Sequence, residues 1–144
     1  MKIYLDNCCL NRPFDVQNQM KVKIETEAIS FILESIAKGN IELVWSYMID
    51  YENSFNPFQE RRISIESWKQ YSQIDIIESN EILYIAEELN DIGIKAKDSL
   101  HIAAAVISEC NYFVTTDSIL IKKLNNNNLI KVINPVELII LEDI

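Results

Sequence analysis

The sequence predicts an α/β fold in which helices cover a central, mostly parallel sheet, and three observations lead there. Short apolar runs of strand character alternate along the chain with longer segments whose apolar residues recur at helical spacing. Connections between these segments are short and no internal repeat is visible, which suits strands joined through helices rather than through hairpins. Two glycines and three prolines in 144 residues leave little material for linkers. One domain over residues 1–144 is therefore expected.

Lys2 to Leu5 (KIYL) is β-rich and apolar, stops at Asp6, and reads as a buried first strand; Asn7 to Asp15, with Asn11 and Pro13, reads as a turn. From Gln19 to Lys38, Ile24, Ala28, Phe31, Ile32 and Ile36 form a helical stripe, Glu25, Glu27, Glu34 and Lys38 fall elsewhere, and Gly39 ends the helix. Ile41 to Trp45 predicts a second strand, and Ser46 caps a helix through Glu52 that Asn56 and Pro57 interrupt. Glu60 to Tyr71 is a polar helical segment, followed by a short strand at Ile74–Ile77. Ser79 precedes a helix over Glu81 to Leu89. Gly93 separates it from Lys97 to Cys110, where Leu100, Ala103, Ala104 and Ile107 make an apolar stripe. Tyr112 to Val114 is a strand ending in Thr115, Thr116 and Asp117; a short helix through Leu124, the Asn125–Asn128 turn and a strand near Leu129–Ile133 follow.

Composition narrows the function classes. With 49% hydrophobic residues the chain is too apolar for disorder, and 13 basic against 22 acidic residues give a net charge of −9. Binding nucleic acid by bulk attraction usually announces itself as a basic surface, so that mode is disfavoured. A metal-dependent enzyme acting on phosphates is not, because such a site collects carboxylates and the bound cations offset them where substrate approaches. No run approaches the roughly 18 apolar residues of a membrane span, and the first residues lack the apolar stretch of an export signal, so a cytoplasmic protein is expected. Three cysteines, Cys8, Cys9 and Cys110, make no disulfide framework and fit a reducing compartment.

In open α/β sheets the functional crevice lies beyond the carboxyl ends of the strands. Two segments repeat one arrangement there: IYL-Asp6 after the first strand and YFVTT-Asp117 after a late one. Asp98 stands at the start of an apolar helix in KAKDSLHIAAA, and Glu52 lies six residues after Ser46. Together the four acids could form a carboxylate pocket. Oxygen-only ligands suit hard cations such as Mg²⁺ or Mn²⁺, which take a few carboxylates and leave the remaining positions to water and phosphate. Read singly, each acid has a plain structural role as well: Asp6 as strand terminator, Asp98 and Asp117 as helix caps, Glu52 as solvated surface.

KAKDSLHIAAA followed by YFVTTD, with LD ending strand one and S-x5-E after strand two, resembles the PIN-domain family of metal-dependent ribonucleases. The resemblance runs over nearly the whole chain, and the stretch from Asp98 to Asp117 is its most specific part. It implies a three-layer α/β/α fold, with Asp6, Glu52, Asp98 and Asp117 at the four acidic positions of a catalytic site that binds Mg²⁺ or Mn²⁺ and hydrolyses RNA phosphodiesters. It also implies a small protein partner, since many such single-domain proteins are toxins of bacterial toxin–antitoxin pairs of the VapC type, held inactive by an antitoxin. A homodimer is a further expectation. Where many members carry another acid after the position of Asp117, Ser118 and Ile119 stand here; Asn7 and Ser118 are the neutral oxygens that would contribute instead.

Substrate contacts are expected from Arg12 and Lys97, the basic residues nearest Asp6 and Asp98 in sequence, and from Thr115 and Thr116 beside Asp117. Arg61, Arg62, Lys95, Lys122 and Lys123 are further cations suited to a phosphate backbone. His101, one helical turn after Asp98, is expected to pack rather than ligate, Cys8 and Cys9 to be near-core thiols, and Trp45 to be core. Two other classes compete. An aspartyl-phosphate enzyme also places an acid after strand one, but lacks support in the Asn7 and Cys8 that follow. A catalytically weak or inactive PIN-like binding module, acting through a protein partner, would share the fold and differ only in activity.

Overall fold

In the computed structural model, which describes residues 1–144, five strands form one parallel sheet: β1 (Lys2–Leu5), β2 (Glu42–Ser46), β3 (Ser72–Ile76), β4 (Tyr112–Val114) and β5 (Lys131–Ile133). Their order is β3-β2-β1-β4-β5, and every pairing is parallel. A central strand of such a sheet is covered on both faces, which explains why Ile3, Tyr4 and Leu5 are all fully buried and why KIYL is apolar without alternation. The order also fixes where a crevice must lie. The chain builds outward from β1 through β2 to β3, then returns to the other side of β1 for β4 and β5, so the direction reverses between β1 and β4.

Eight helices flank the sheet: α1 (Asn7–Asn11), α2 (Met20–Ala37), α3 (Tyr47–Ser54), α4 (Gln59–Ser67), α5 (Asn80–Asp91), α6 (Ala96–Ile107), α7 (Ser118–Lys123) and α8 (Pro135–Glu142). Helices α2 and α8 pack on each other, as do α5 and α6. Tyr4 meets His101 of α6, so its strand neighbours Ile3 and Leu5 face the opposite layer. This is the PIN-like α/β architecture that the sequence resemblance implied. None of the helices is long and apolar enough to cross a membrane.

Several local expectations need correction. Asn7–Asp15 is not an open turn: Asp6 caps α1, accepting from the Asn7 amide at 2.8 Å, and a 3-10 turn at Arg12–Phe14 follows. Asn and Asp favour caps and turns alike, so composition could not separate the two. Helix α2 is rotated from the expected stripe. Ile29 is buried and Glu25 is only 2% exposed, whereas Ile24 and Phe31 lie open to solvent. Glu25 is drawn inward by polar partners, a signal that hydrophobic periodicity cannot carry. The segment after Glu60 splits into α4 and a 3-10 turn, Trp68–Tyr71. After β5 the chain continues into α8, capped by Asn134 with Pro135 in its first turn, which the reading by apolar runs omitted. The Gly39 stop is observed: its φ of 78° closes α2 in the left-handed conformation that glycine adopts freely.

Candidate active site at the carboxyl edge

Asp6 and Asp117 leave adjacent strands. The Asp6 amide donates to the Val114 carbonyl at 2.9 Å, extending the β1–β4 ladder by one bond, and the Thr115 amide donates to Ile133 in the same way. Thr115 then links the two acids. Its hydroxyl donates to Asp6 Oδ2 at 2.8 Å and accepts from the Asp117 amide at 3.1 Å. Asp6 is 6% exposed, and its second oxygen accepts from Asn7 while the Cys8 thiol sits 3.3 Å from Oδ2. Burial, with the neighbouring Cys8 charge adding to it, pushes the Asp6 carboxyl well above the ordinary carboxylate range despite the Thr115 bond.

Glu52 reaches the same edge from α3 and is held at both oxygens. Asn7 Nδ2 donates to Oε2 at 3.2 Å, and His101 Nε2 lies 2.6 Å from Oε1. Behind His101 a buried chain continues: Nδ1 is 2.5 Å from Tyr4 Oη, which is 2.5 Å from Ser46 Oγ, which accepts from the Met48 amide as the cap of α3. One assignment satisfies every atom with a neutral imidazole: Ser46 donates to Tyr4, Tyr4 to Nδ1, and Nε2–H to Glu52. Burial holds the Tyr4 phenol far above its ordinary value, consistent with a donor that keeps its proton. For Glu52, burial alone would raise the carboxyl, but the contact with His101, the Lys97 charge and the Asn7 amide together leave it lowered. Glu52 is thus a fixed anion. His101 is buried, as expected of a packing residue, and its polar role depends on Tyr4 and Glu52, which only the fold brings to it.

Asp98, in the first turn of α6, and Asp117, the cap of α7, line one cavity of about 60 Å³ together with Lys95 and Lys123. Asp117 Oδ1 accepts from the Ile119 and Leu120 amides at 3.0 and 3.1 Å. Half-burial raises the Asp98 carboxyl, and the Asp117 and Glu52 charges raise it further against the pull of His101 and Lys95. A cation in this cavity would relieve that repulsion. All-oxygen donors suit a hard divalent ion, and Mg²⁺ commonly needs only one or two carboxylates with water and phosphate completing its shell, so the Asp98–Asp117 pair fits that chemistry. A ring of four does not form as expected. No three His, Cys, Asp or Glu side chains gather around one point, because Asp6 is turned to Thr115 and Asn7, and Glu52 to His101 and Asn7.

The remaining expected contacts divide. Arg12 is committed to Glu25 (2.8 Å) and Asp15 (3.1 Å), which removes the free charge on which its expected grip of RNA rested. Thr115 is fully buried and serves Asp6; Thr116 is 6% exposed, and its amide meets the Cys8 sulfur at 3.4 Å. Both hydroxyl residues are therefore internal supports rather than open contacts. Lys97 and Ser118 are exposed, beside Asp98 and Asp117 respectively, and Asn7 lies between Asp6 and Glu52 with its Oδ1 buried and unpartnered. Cys8, expected to be a near-core thiol, has polar neighbours. Its sulfur lies 3.3 Å from both Asp6 Oδ2 and Thr115 Oγ1, and the Cys9 thiol, with the Thr115 and Thr116 groups, pulls it down to about 6 against the effect of burial.

An α/β sheet carrying its acids at the β1–β4 reversal defines the class to which this chain belongs in shape. No family model matches the chain, and no curated protein matches it in sequence. Among solved structures, a chain from the crystal structure of VapBC2 from Rickettsia felis, bound to a DNA fragment from their promoter, is similar with a TM-score of 0.60. The two are 18% identical, and the match covers 93% of this chain and 98% of that one. At that identity the likeness is one of fold.

Proposed function

We propose that the protein is a nuclease that hydrolyses RNA phosphodiester bonds with Mg²⁺ or Mn²⁺, and that Asp98 and Asp117 hold the ion. The observation that carries this reading is the Asp98–Asp117 cavity at the sheet's carboxyl edge, where two carboxylates share a space that a cation would neutralise. A bound divalent ion there supplies charge for the phosphate oxygens and lowers the pKa of a water molecule. Glu52, kept anionic and immobile by His101 and Asn7, has lone pairs left over to orient that water. Asp6 anchors Asn7 and Thr115, and Thr115 in turn fixes the Asp117 backbone. Lys95, Lys97, Lys123 and Ser118 surround the acids and suit phosphate contacts.

The fold neighbour comes from the VapBC2 assembly, which supports a small antitoxin-like partner for this chain, and residues 1–144 are read as one domain on the strength of a shared apolar core. The alternative, an inactive binding module, is favoured by one specific feature: both oxygens of Asp6 and of Glu52 are already bonded within the protein. Incubating the purified protein with single-stranded RNA, in EDTA and in Mg²⁺ or Mn²⁺, separates the two. Metal-dependent cleavage supports the nuclease, and intact RNA under all conditions supports the module.

A further inference from the structure

Three elements meet behind Glu52. Ser46 ends β2, Tyr4 lies in β1 and His101 stands in α6, and all three residues are fully buried. Their polar atoms form one line of hydrogen bonds that ends on Glu52 Oε1. Neither Ser46 nor Tyr4 lines the Asp98–Asp117 cavity, so any effect they have on its chemistry must pass through His101. Packing fixes the phenol as well: its ring stacks on Phe113 with centroids 5.4 Å apart and meets the imidazole edge-on at 5.6 Å.

The direction of that line is set at its far end. Ser46 Oγ has two hydrogen-bond neighbours, the Met48 amide at 3.2 Å and Tyr4 Oη. An amide N–H only donates, so the Ser46 hydrogen has Tyr4 as its one acceptor. The phenol hydrogen is then left for His101 Nδ1, and the imidazole keeps its own proton on Nε2, against Glu52. Reversing the line would strand the Ser46 hydrogen in a fully buried site, where an unmade bond costs the desolvation of the group. Apolar side chains could fill this space with no polar atoms to satisfy. What the polar set adds is a donor of fixed direction at Oε1, and with Asn7 Nδ2 on Oε2 it pins both oxygens of the carboxylate.

We propose that Ser46 and Tyr4 are positioning residues of the nuclease site: their hydroxyls fix His101 as an Nε2–H donor, and that donor fixes Glu52. The inference rests on the nuclease reading above and adds to it a dependence on two hydroxyls that lie outside the reach of substrate.

His101 is the chain's one histidine, so long-range ¹⁵N–¹H NMR of the labelled protein in EDTA reads its protonation pattern directly and without requiring cleavage. The wild type should show a protonated Nε2 and a bare Nδ1. In Mg²⁺, Tyr4→Phe should lower kcat on single-stranded RNA about ten- to a hundredfold with KM unchanged, the range for losing a group that orients a site residue from behind. Ser46→Ala should show the same loss, and Ser46→Thr, which restores the hydroxyl, should recover most of it. Ile3→Val, a core change in the same strand facing the opposite layer, should leave kcat as it is. A protonated Nδ1 in the wild type overturns the inference and needs no variant to fold. A folded Tyr4→Phe protein with the wild-type kcat overturns it too, and either result leaves the nuclease standing. RNA left intact by the wild type removes the nuclease and the positioning role together, and the missing wild-type activity tells that failure from the other two.

Discussion

Asp98 shows why a residue can serve function against stability. Its carboxyl is held above the ordinary range by burial and by the Asp117 and Glu52 charges, so at neutral pH the folded protein carries an anion it would rather not have. For a carboxyl raised on folding, the stability present below the unfolded value of ~4 is lost as pH rises through the folded value. Asp98→Asn should consequently raise Tm at pH 7, with the gain shrinking toward pH 4, while RNA hydrolysis falls at least about a hundredfold. Thermal melts across that pH range beside an activity assay check both halves. Glu52 has the opposite sign: lowered on folding, its contribution is lost as pH falls through its folded value. Behind it, Tyr4→Phe leaves His101 Nδ1 and the Ser46 hydroxyl without their shared partner, and should cost about 1–3 kcal/mol in urea unfolding.

At the scale of elements, the caps tie the site to the fold. Asp117 is both a cavity carboxylate and the cap of the six-residue α7, so Asp117→Ala should lose activity and about 1 kcal/mol of stability, whereas Asp117→Asn keeps an accepting oxygen and should lose mainly activity. Comparing the pair by denaturant unfolding and RNA cleavage separates the roles. Glu25 ties three elements together: Arg12 beyond α1, Asn134 before α8 at 2.6 Å, and its own α2. Glu25→Ala leaves Arg12 with Asp15 alone and Asn134 Nδ2 without its acceptor, and should destabilise by about 1–3 kcal/mol, read as a drop in the urea midpoint. The strands and long helices were legible in the sequence because their signals are local: apolar runs for β1 and β4, the stripe of α6, the Ser46 and Ser79 caps. Glu25 was not legible, because its partners lie 13 and 109 positions away. The acids were legible as strand-end and helix-start residues. Their division into one facing pair and two internally bonded members was not, since it depends on where Thr115, Asn7 and His101 come to rest.

For the whole molecule, charge and topology set the conditions of binding. The order in which strands are added to the parallel sheet reverses at β1, and the four acids lie near the carboxyl edge there in a chain already carrying −9. Lys95, Lys97 and Lys123 are the cations beside them, so RNA affinity without divalent ions should fall with salt by about −0.7 in the log–log slope for each phosphate contact they make, three at most. The central claim is that Asp98 and Asp117 share one divalent cation in the small cavity between them. Isothermal titration of Mn²⁺ into the wild-type chain and into Asp98→Asn tests it most directly. The account predicts a saturable site in the wild type that Asp98→Asn abolishes while remaining folded; equal Mn²⁺ binding by both proteins, or none by either, would contradict it.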